Sequence, residues 1–484
     1  MIHLNDPTLF KQASLIAGQW RSAKNQATFP VNNPASQALL ANVASLEKSD
    51  VEEAVAEAQQ ALVLWRDKTP KERSVLLRKW FDLIIENTDD LAAIMTAEQG
   101  KPLAESRGEI SYAASFIDWF AEEAKRTYGD VIPSPQADKR ILVIKQPVGV
   151  CAAITPWNFP AAMITRKVAP ALAAGCVMLV KPAEQTPLTA LALGELAIRA
   201  GIPAGVLQIV TGDAKVIGEV LTKSDVVRKL SFTGSTAIGR LLMSQCAQTV
   251  KRVSLELGGN APFIVFDDAD IEAAVEGALQ SKYRNAGQTC VCTNRFIVQS
   301  GIYEEFSRRL AERVKGLRVG HGDEADVTLG PLIDSDAVAK VEDHIQDAVA
   351  KGARVLVGGH RHALGGNFVE PTVLLDVTTE MKVAREETFG PLAPIFRFDT
   401  EEQAVAMAND TEFGLAAYFF TESYPRAWRV SEALEYGMVG HNTGLISNEV
   451  APFGGIKQSG IGREGSKYGI EEYLEMKYLC TSVR

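Results

Sequence analysis

The sequence predicts an α/β fold built on open parallel sheets, and three features of the chain predict it. Between about residues 149 and 257, short apolar strands alternate with helical segments. A second α/β pattern begins with "APFIVF" at 261–266, and the C-terminal stretch "YLEMKYLCTSV" at 473–483 is apolar and strand-like. Such alternation is typical of a parallel sheet with helices on both faces, which binds ligands beyond the carboxyl ends of its strands.

The first part of the chain is predicted to be helical. Residues 49–66 have Val, Ala and Leu at helical spacing, with Ser49 as a candidate N-cap, and helical patterns continue through 70–95 and 101–126. The segment "YGDVIPSP" then ends the helical region, and "RILVIKQPVGVCAAITP" is rich in β-forming residues.

The two alternating regions contain the remaining predicted elements. The strands of the first region are 149–155, 176–180, 206–210, 229–233 and 252–256, with helices at 160–174, 187–200 and 213–223 and after Gly234. The second region continues with helix 270–286, strand 295–298, helices 302–316 and 335–351, and strand 354–358. The apolar tail at 473–483 needs a sheet edge to pair with, which predicts an oligomer contact.

Length and composition restrict the classes of function. The 484 residues, 46% hydrophobic and 23% charged, are enough for two or three globular domains. A net charge of −10 argues against a nucleic-acid partner, although a few local arginines can still capture a small anion.

Cysteine usage and hydropathy predict a cytoplasmic protein without a membrane partner. Most of the six cysteines lie in apolar runs such as "GVCAAIT", which indicates reduced core thiols. No histidine pairs with a cysteine at metal-ligand spacing, so no metal site is expected. The N-terminus does not resemble a signal peptide, and the longest apolar run, 168–180, contains Pro170 and is too short to cross a bilayer.

The stretch "NAGQTCVCTN" at 285–294 contains the candidate nucleophile. Gly287 can adopt positive φ, and a cysteine that follows such a turn, here Cys290, can be activated for nucleophilic attack. A buried structural thiol is the alternative. Cys292 is too close to Cys290 for a C-x-x-C redox pair or a zinc knuckle.

Two further candidates for catalysis follow predicted strands. Glu256, in "SLELGGN", is a candidate general base among apolar neighbours, and a surface carboxylate at a turn is the alternative. Asn158, in "TPWNFP", can donate to an oxyanion, although the same stretch also reads as a turn before a helix with Pro160 in its first turn.

Two stretches are typical of nucleotide binding, and a third matches a nucleotide-binding pattern without its structural context. "FTGSTAIG" at 232–239 places Ser235 at a helix start that could hold a phosphate. "VKPAEQTP" places Lys181 and Glu184 beyond a strand, where a ribose can bind, or else in an exposed loop. "GIGREG" at 460–465 matches G-x-G-x-x-G but follows no strand and lies in no βαβ unit, so we expect no dinucleotide there.

Seven motifs, in this order, resemble the aldehyde dehydrogenase superfamily from about residue 15 to the C-terminus. They are W-N, K-P-A-E, F-T-G-S-x-x-x-G, L-E-L-G-G, G-Q-x-C, E-E-x-F-G-P and P-F-G-G-x-K-x-S-G. Longer phrases such as "AAMITRKVAPALAAG" and "RNAGQTCVC" are most similar to enzymes that oxidise succinate semialdehyde, and enzymes for glutarate semialdehyde look similar.

The resemblance implies a three-part subunit of an NAD(P)-dependent aldehyde dehydrogenase. Two Rossmann-like domains and a small bridging β element for oligomerisation are expected. The boundaries are 1–127 with 147–257 for the NAD(P) domain, 258–460 for the catalytic domain, and 128–146 with 470–484 for the bridging element. A homodimer or homotetramer is expected.

The resemblance also implies residue roles. Cys290 would attack the aldehyde, Asn158 would stabilise the oxyanion, and Glu256 would activate the water that hydrolyses the thioester. A second set would bind NAD or NADP, with Glu184 favouring NAD: Thr155, Pro156, Trp157, Lys181, Glu184, Gly234, Ser235, Leu257, Glu387 and Phe389. A third set would bind the substrate and its carboxylate: Arg166, Arg284, Ser447 and Phe453.

Some alternatives stay open at the level of sequence. Arg166 and Arg284 could instead form surface ion pairs. Cys292 is either a small packed residue or the redox partner of Cys290 in a strained, reversible disulfide. A thiol hydrolase or acyltransferase that uses Cys290 without a nicotinamide, and a binding protein that has lost catalysis, are the rival functions.

Overall fold

The computed structural model describes residues 2–483 and contains fifteen α-helices in that range. In the first half they are α1 Lys48–Arg66, α2 Pro70–Glu86, α3 Thr88–Gln99, α4 Leu103–Glu123, α5 Ala162–Ala174, α6 Pro187–Arg199, α7 Ala214–Lys223 and α8 Thr236–Ala247. In the second half they are α9 Ile271–Tyr283, α10 Tyr303–Lys315, α11 Ser335–Ala350, α12 Lys382–Arg385, α13 Glu401–Asn409, α14 Tyr424–Ala433 and α15 Ser466–Gly469.

The same range contains twenty-two strands. Up to residue 256 they are β1 Ser14–Ile16, β2 Gln19–Arg21, β3 Thr28–Asn32, β4 Leu39–Ala44, β5 Asp130–Ile132, β6 Lys139–Pro147, β7 Val150–Ile154, β8 Val177–Lys181, β9 Leu207–Ile209, β10 Val227–Thr233 and β11 Arg252–Glu256. The others are β12 Ala261–Val265, β13 Thr293–Gln299, β14 Arg354–Val357, β15 Thr372–Leu375, β16 Leu392–Phe398, β17 Phe413–Gly414, β18 Ala416–Phe420, β19 Met438–His441, β20 Ile456–Lys457, β21 Gly460–Ile461 and β22 Leu474–Ser482.

An eight-stranded sheet contains all five strands predicted between 149 and 257. Its order is β2-β1-β9-β8-β7-β10-β11-β21, and the run from β9 to β11 is parallel. The carboxyl ends of these strands therefore meet at one edge of the sheet. Apolar residues of this sheet and of α1 to α6 form one continuous core.

A seven-stranded sheet organises the second half. Its order is β14-β15-β16-β13-β12-β18-β19, and every pair except β14 with β15 is parallel. Residues from Ala261 to Phe453 form a second, separate core around it. The α/β fold with two largely parallel sheets is confirmed.

The predicted tail strand is β22, and it completes a three-stranded antiparallel sheet with β6 and β5. The apolar side chains of this sheet include Val131, Met476 and Tyr478, which are 83%, 76% and 62% exposed. The sheets separate near the predicted domain boundaries, and the division into domains stays a prediction.

Two local predictions were wrong. Helix α1 begins at Lys48 behind Glu47, whose N–H donates to Asp50 at 3.1 Å, so Ser49 lies inside the helix and is not its N-cap. The helix predicted to run to residue 286 ends at Tyr283, because Asn285 and Ala286 are left-handed, with φ of 51° and 54°.

Neither a candidate membrane span nor a candidate metal site is present among residues 2–483. Among residues 2–483, no helix combines the length and apolar character that a membrane span requires. Over the same residues, no group of three or more His, Cys, Asp or Glu side chains is arranged to hold a metal ion.

Candidate active site

The loop that carries Cys290 leaves α9 through three consecutive left-handed residues, 285–287. Gly287 has φ of 74°, and a Cβ there would lie 2.2 Å from the carbonyl oxygen of Gly390, so glycine is required by a close backbone contact. Asn285 is held by hydrogen bonds: its N–H donates to Glu105 at 2.8 Å, and its Oδ1 accepts from Gln99 at 3.0 Å. The turn directs the chain so that Cys290 is half-buried.

Asn158 follows β7 and is brought to the Cys290 loop. Its Nδ2 donates to the carbonyl oxygen of Gln288 at 3.0 Å, two residues before the cysteine. Its own carbonyl oxygen accepts from Lys101 Nζ at 2.7 Å and from Asn285 Nδ2 at 3.0 Å. One hydrogen of the Asn158 amide group therefore holds the loop, and the second is left for another acceptor.

Glu256 ends β11 as a buried carboxylate without a hydrogen-bond partner among residues 2–483. Burial raises the pKa of Glu256 well above its usual value, and the negative charge of Glu464 raises it further. Lys167 and Arg166 act in the opposite direction. A desolvated carboxylate of this kind is a stronger proton acceptor than an exposed one.

Burial also raises the pKa of the Cys290 thiol, to about 12. Arg166 and Arg284 lower it, whereas Glu387 and Glu256 raise it further. The thiol is therefore protonated at neutral pH, and it needs a proton acceptor before it can act as a nucleophile.

Polar groups gather at the carboxyl edge of the first sheet, where the nucleotide was predicted. Lys181 Nζ, at the end of β8, lies 2.8 Å from Glu184 Oε1. Ser235 is the N-cap of α8, and its hydroxyl accepts from Ile238 N–H. The hydroxyls of Thr155 and Thr233 are buried and have no hydrogen-bond partner among the described residues. This set of unsatisfied donors and a helix N-terminus fits a phosphate-containing ligand.

The predicted "EETFGP" segment lies across from Trp157. Glu387 Oε1 accepts from Gly259 N–H at 3.1 Å, and desolvation raises the pKa of Glu387 to about 7. Phe389 has φ of 56° and meets Trp157 edge-on, with ring centroids 5.6 Å apart. Non-glycine residues in this conformation are uncommon and store strain.

His344 on α11 holds the flanks of the same segment. Its ring nitrogens lie 3.1 Å from Thr388 Oγ1 and 3.3 Å from Glu386 Oε2. His344 could not be identified from the sequence, because it lies more than forty residues before Glu386 and Thr388 and in no motif.

The other predicted cofactor residues lie in the same region. Pro156 precedes Trp157 in the loop after β7, and Leu257 follows β11. The Leu257 side chain packs on Gly239 of α8, where a Cβ would lie 2.4 Å away from it. The ring of Phe232 packs beneath the turn at Gly234, where a Cβ would lie 2.5 Å from the ring.

The two predicted substrate arginines both lie near Cys290 but have different surroundings. Arg166 is buried, with Nε 2.8 Å from Glu464 Oε2 and its guanidinium carbon 3.9 Å from the Phe453 ring centroid. A surface ion pair, the alternative considered for Arg166, is therefore wrong. Arg284 is half-buried and lies 5.3 Å from the centroid of Phe159.

Arg284 forms no ion pair with any other residue in the range 2–483, although its charge acts on the half-buried Glu105. Desolvation raises the pKa of that carboxyl, and the charge of Arg284 lowers it. Arg284 and Ser447 line one small cavity, together with Thr289, Val291 and Tyr418. Arg166 with Phe453, and Arg284 with Ser447, thus form two neighbouring parts of one site.

Glu464 could not be identified from the sequence, because "GIGREG" shows only a glycine pattern and gives no sign of a partner for its carboxylate. In the structure, β21 pairs antiparallel with the end of β11, at Glu256 and Leu255. Glu464 then receives both Arg166 and Lys167 as buried ion pairs.

Cys292 is buried behind the loop, and its sulfur faces Lys282. Lys282 Nζ lies 3.3 Å from the sulfur, and the carbonyl oxygen of Thr293 lies at 3.4 Å. Cys290 and Cys292 are both free thiols. Any bond between the two sulfurs would require the loop to rearrange.

Comparison with known proteins identifies the relatives of this chain. The sequence model of the aldehyde dehydrogenase family matches residues 20–479. An Escherichia coli protein named as an NADP(+)-dependent succinate-semialdehyde dehydrogenase, GabD, is 64% identical over 477 residues, which is 99% of each chain. A Pseudomonas aeruginosa protein named glutarate-semialdehyde dehydrogenase is 64% identical over 479 residues, again 99% of each. The crystal structure of an aldehyde dehydrogenase from Brucella melitensis biovar abortus is 66% identical and superposes over both whole chains with a TM-score of 0.99.

Proposed function

This chain belongs to the aldehyde dehydrogenase family, and we propose that it oxidises a short carboxylated aldehyde, succinate semialdehyde first, to the acid with NAD or NADP. The choice of substrate rests on the pair of arginines, Arg166 and Arg284. Both lie close enough to Cys290 for their charges to lower the pKa of its thiol. Arginine binds carboxylates with two parallel hydrogen bonds, and a carboxylate a few carbons from the aldehyde would fit this arrangement.

In the proposed mechanism, Glu256 accepts the thiol proton of Cys290. The sulfur attacks the carbonyl carbon, and the resulting oxyanion accepts hydrogen bonds from the Asn158 amide and the Cys290 N–H. The nicotinamide of the cofactor, when bound, supplies the hydride acceptor. Glu256 first releases the proton of Cys290 to solvent, and it then takes a proton from the water that attacks the thioester carbonyl. The carbon–sulfur bond breaks, the acid leaves, and the Cys290 sulfur takes the proton back from Glu256.

The groups at the carboxyl edge of the first sheet would bind the cofactor. Lys181 and Glu184 would face the adenosine ribose, Ser235 the pyrophosphate, and Glu387 and Phe389 the nicotinamide end. Glu184 favours NAD, because a carboxylate repels the 2′-phosphate of NADP. Lys181 Nζ lies 2.8 Å from Glu184 and could itself contact that phosphate. The E. coli relative is named for NADP(+). Use of both cofactors is therefore part of the proposal.

We further propose that a second copy of the chain covers the exposed three-stranded sheet, giving a homodimer or homotetramer. The support is its exposed apolar face, with Val131, Met476 and Tyr478 at 83%, 76% and 62% exposure. The predicted domain boundaries are retained as part of the proposal, and the two separate apolar cores support them. A cytoplasmic location is proposed because all six cysteines are free thiols.

Oxidation of the five-carbon homologue, glutarate semialdehyde, is the second candidate. It is favoured by the P. aeruginosa relative, whose 64% identity equals that of the E. coli relative. One methylene group in a pocket is worth only about 1–3 kcal/mol, so the two substrates differ by a small change in pocket depth.

A kinetic panel tests the proposal. The rate of NADH or NADPH formation is measured with succinate semialdehyde, glutarate semialdehyde and butanal, each with NAD and with NADP. We expect kcat/KM for one of the carboxylated aldehydes to exceed that for butanal by at least about tenfold, the effect of one charge-assisted hydrogen bond. Equal values for butanal would reject carboxylate recognition, and no reduced cofactor at all would favour a thiol hydrolase.

A further inference from the structure

A group of hydrogen-bond donors near Cys290 has no acceptor within residues 2–483. They are the Tyr112 hydroxyl and the Nη2 atom of Arg166, both of them buried. Buried polar groups in folded proteins are almost always hydrogen-bonded, because an unmet donor costs the full price of its desolvation. Two such donors together indicate a binding site for an acceptor that the described residues do not supply.

Tyr112 and Arg166 both lie against the ring of Phe116. The Tyr112 ring centroid is 5.0 Å from that of Phe116, one turn later on α4. The Arg166 guanidinium carbon is 5.1 Å from the same Phe116 centroid. The charges of Arg166 and Arg284 lower the pKa of the Tyr112 hydroxyl, and that of Cys290 raises it. The hydroxyl therefore lies near the nucleophile.

The partners of Arg166 show which of its nitrogens remain available. Nη1 contacts Met163 Sδ at 3.7 Å, and Nε lies 2.8 Å from Glu464 Oε2 without the angle of a hydrogen bond. Nη2 has no partner among the described residues. Burial raises the pKa of Tyr112, so its hydroxyl keeps its proton and acts as a donor at neutral pH.

The loop that carries Ser447 is fixed to the same helix. Ser115 Oγ, on the turn of α4 that follows Tyr112, donates to Glu449 Oε2 at 3.2 Å. Because Glu449 is only two residues from Ser447, this contact places the loop beside the helix face that carries Tyr112.

We propose that the Tyr112 hydroxyl, together with Nη2 of Arg166, donates a hydrogen bond to the anionic end of the substrate, which makes Tyr112 a specificity-determining residue. This inference rests on the proposed oxidation of a carboxylated aldehyde. A carboxylate has about four acceptor positions on its two oxygens, so it can satisfy Tyr112 and Arg166 while it also binds Arg284.

The variant Tyr112→Phe tests the proposal, because it removes the hydroxyl and keeps the ring that packs on Phe116. We expect kcat/KM for succinate semialdehyde to fall by about tenfold to a hundredfold, the usual effect of losing one hydrogen bond to a charged group. The value for butanal should stay within about twofold, since butanal has no anionic end. Tyr424→Phe, at a tyrosine 74% exposed, is the matched control and should change neither value.

The outcomes distinguish this proposal from the function on which it rests. If the unmodified enzyme prefers succinate semialdehyde and Tyr112→Phe keeps that preference, the role of Tyr112 is refuted and the function stands. Equal losses for both aldehydes would assign Tyr112 to structure alone and would also refute its role. If the unmodified enzyme shows no preference, both proposals fail together.

Inhibition by succinate of butanal oxidation gives a second measurement that does not depend on turnover of the charged substrate. We expect the inhibition constant to rise in Tyr112→Phe by the same factor as the loss in kcat/KM. An unchanged inhibition constant would refute the hydrogen bond even if the kinetic values had shifted.

Discussion

Arg284 offers the most direct test of carboxylate recognition, because it is half-buried and forms no ion pair among residues 2–483. Arg166 is already paired with Glu464. The substitution Arg284→Ala removes the guanidinium that forms no ion pair and leaves the Arg166–Glu464 pair in place. Its effect should therefore report on the substrate carboxylate.

The size of the effect follows from the interaction that is lost. A hydrogen bond to a charged group contributes about 1.5–3 kcal/mol, and about 1.4 kcal/mol corresponds to a factor of ten. We expect kcat/KM for succinate semialdehyde to fall by about 10- to 150-fold, mainly through KM. Arg284 also lowers the pKa of Cys290, so part of the loss will be common to every aldehyde.

Butanal separates the two contributions. The ratio of kcat/KM for succinate semialdehyde to that for butanal removes the common effect on Cys290, and we expect this ratio to fall by at least about tenfold. Arg284→Lys keeps the charge but loses the fork of donors, and it should fall between the unmodified enzyme and Arg284→Ala. If the ratio is unchanged in Arg284→Ala, this arginine does not bind the carboxylate.

Four further predictions follow from the site. Cys290→Ala should abolish aldehyde oxidation while NAD binding, measured by calorimetry, is kept; measurable turnover would exclude Cys290 as the nucleophile. Because the pKa of Glu256 is raised, the carboxylate is protonated and lost as a base when the pH falls through that pKa, so kcat/KM should fall towards acidic pH. Glu256→Gln should lower kcat by about 10²- to 10⁴-fold and remove this decrease at acidic pH. If the decrease remains in Glu256→Gln, another group causes it. Glu184→Ser should raise kcat/KM for NADP relative to NAD by about tenfold, about 1.4 kcal/mol, and no change would refute repulsion by this carboxylate. After treatment with peroxide, dithiothreitol should restore the unmodified enzyme better than Cys292→Ala, because a disulfide with Cys292 would protect Cys290; equal recovery would exclude that disulfide.

The sequence was most informative where a pattern is local. Strand and helix alternation between residues 149 and 257 reproduces β7 to β11, because each element buries its own apolar residues. The turn at Gly287 was also predictable, since only glycine tolerates both its φ and its contact with Gly390. In these cases the determining residues are neighbours in the chain.

The supporting groups were not predictable, because they act across long separations. Lys101 and Glu109 form a buried ion pair in which Lys101 holds the Asn158 carbonyl, and Glu109 Oε1 accepts from the N–H of Ala161 at 2.9 Å, at the start of α5. No spacing rule connects α3 and α4 with the loop after β7. His344 is a similar case, since its relation to the Glu387 loop exists only after the second sheet has formed.

The difference in burial explains why Arg166 has an ion-pair partner and Arg284 has none among residues 2–483. Removing a fully buried guanidinium from water is costly unless a counter-charge accompanies it, and Glu464 supplies that charge to Arg166 and to Lys167 together. Glu464 in turn raises the pKa of Glu256, whereas Arg166 lowers it. A substitution of Arg166 would therefore alter both the proposed carboxylate site and the basicity of Glu256. Arg284 is half-buried and forms no ion pair within residues 2–483. The fold thus places Arg166 in a network that also sets the basicity of Glu256, whereas Arg284 lies outside that set of ion pairs.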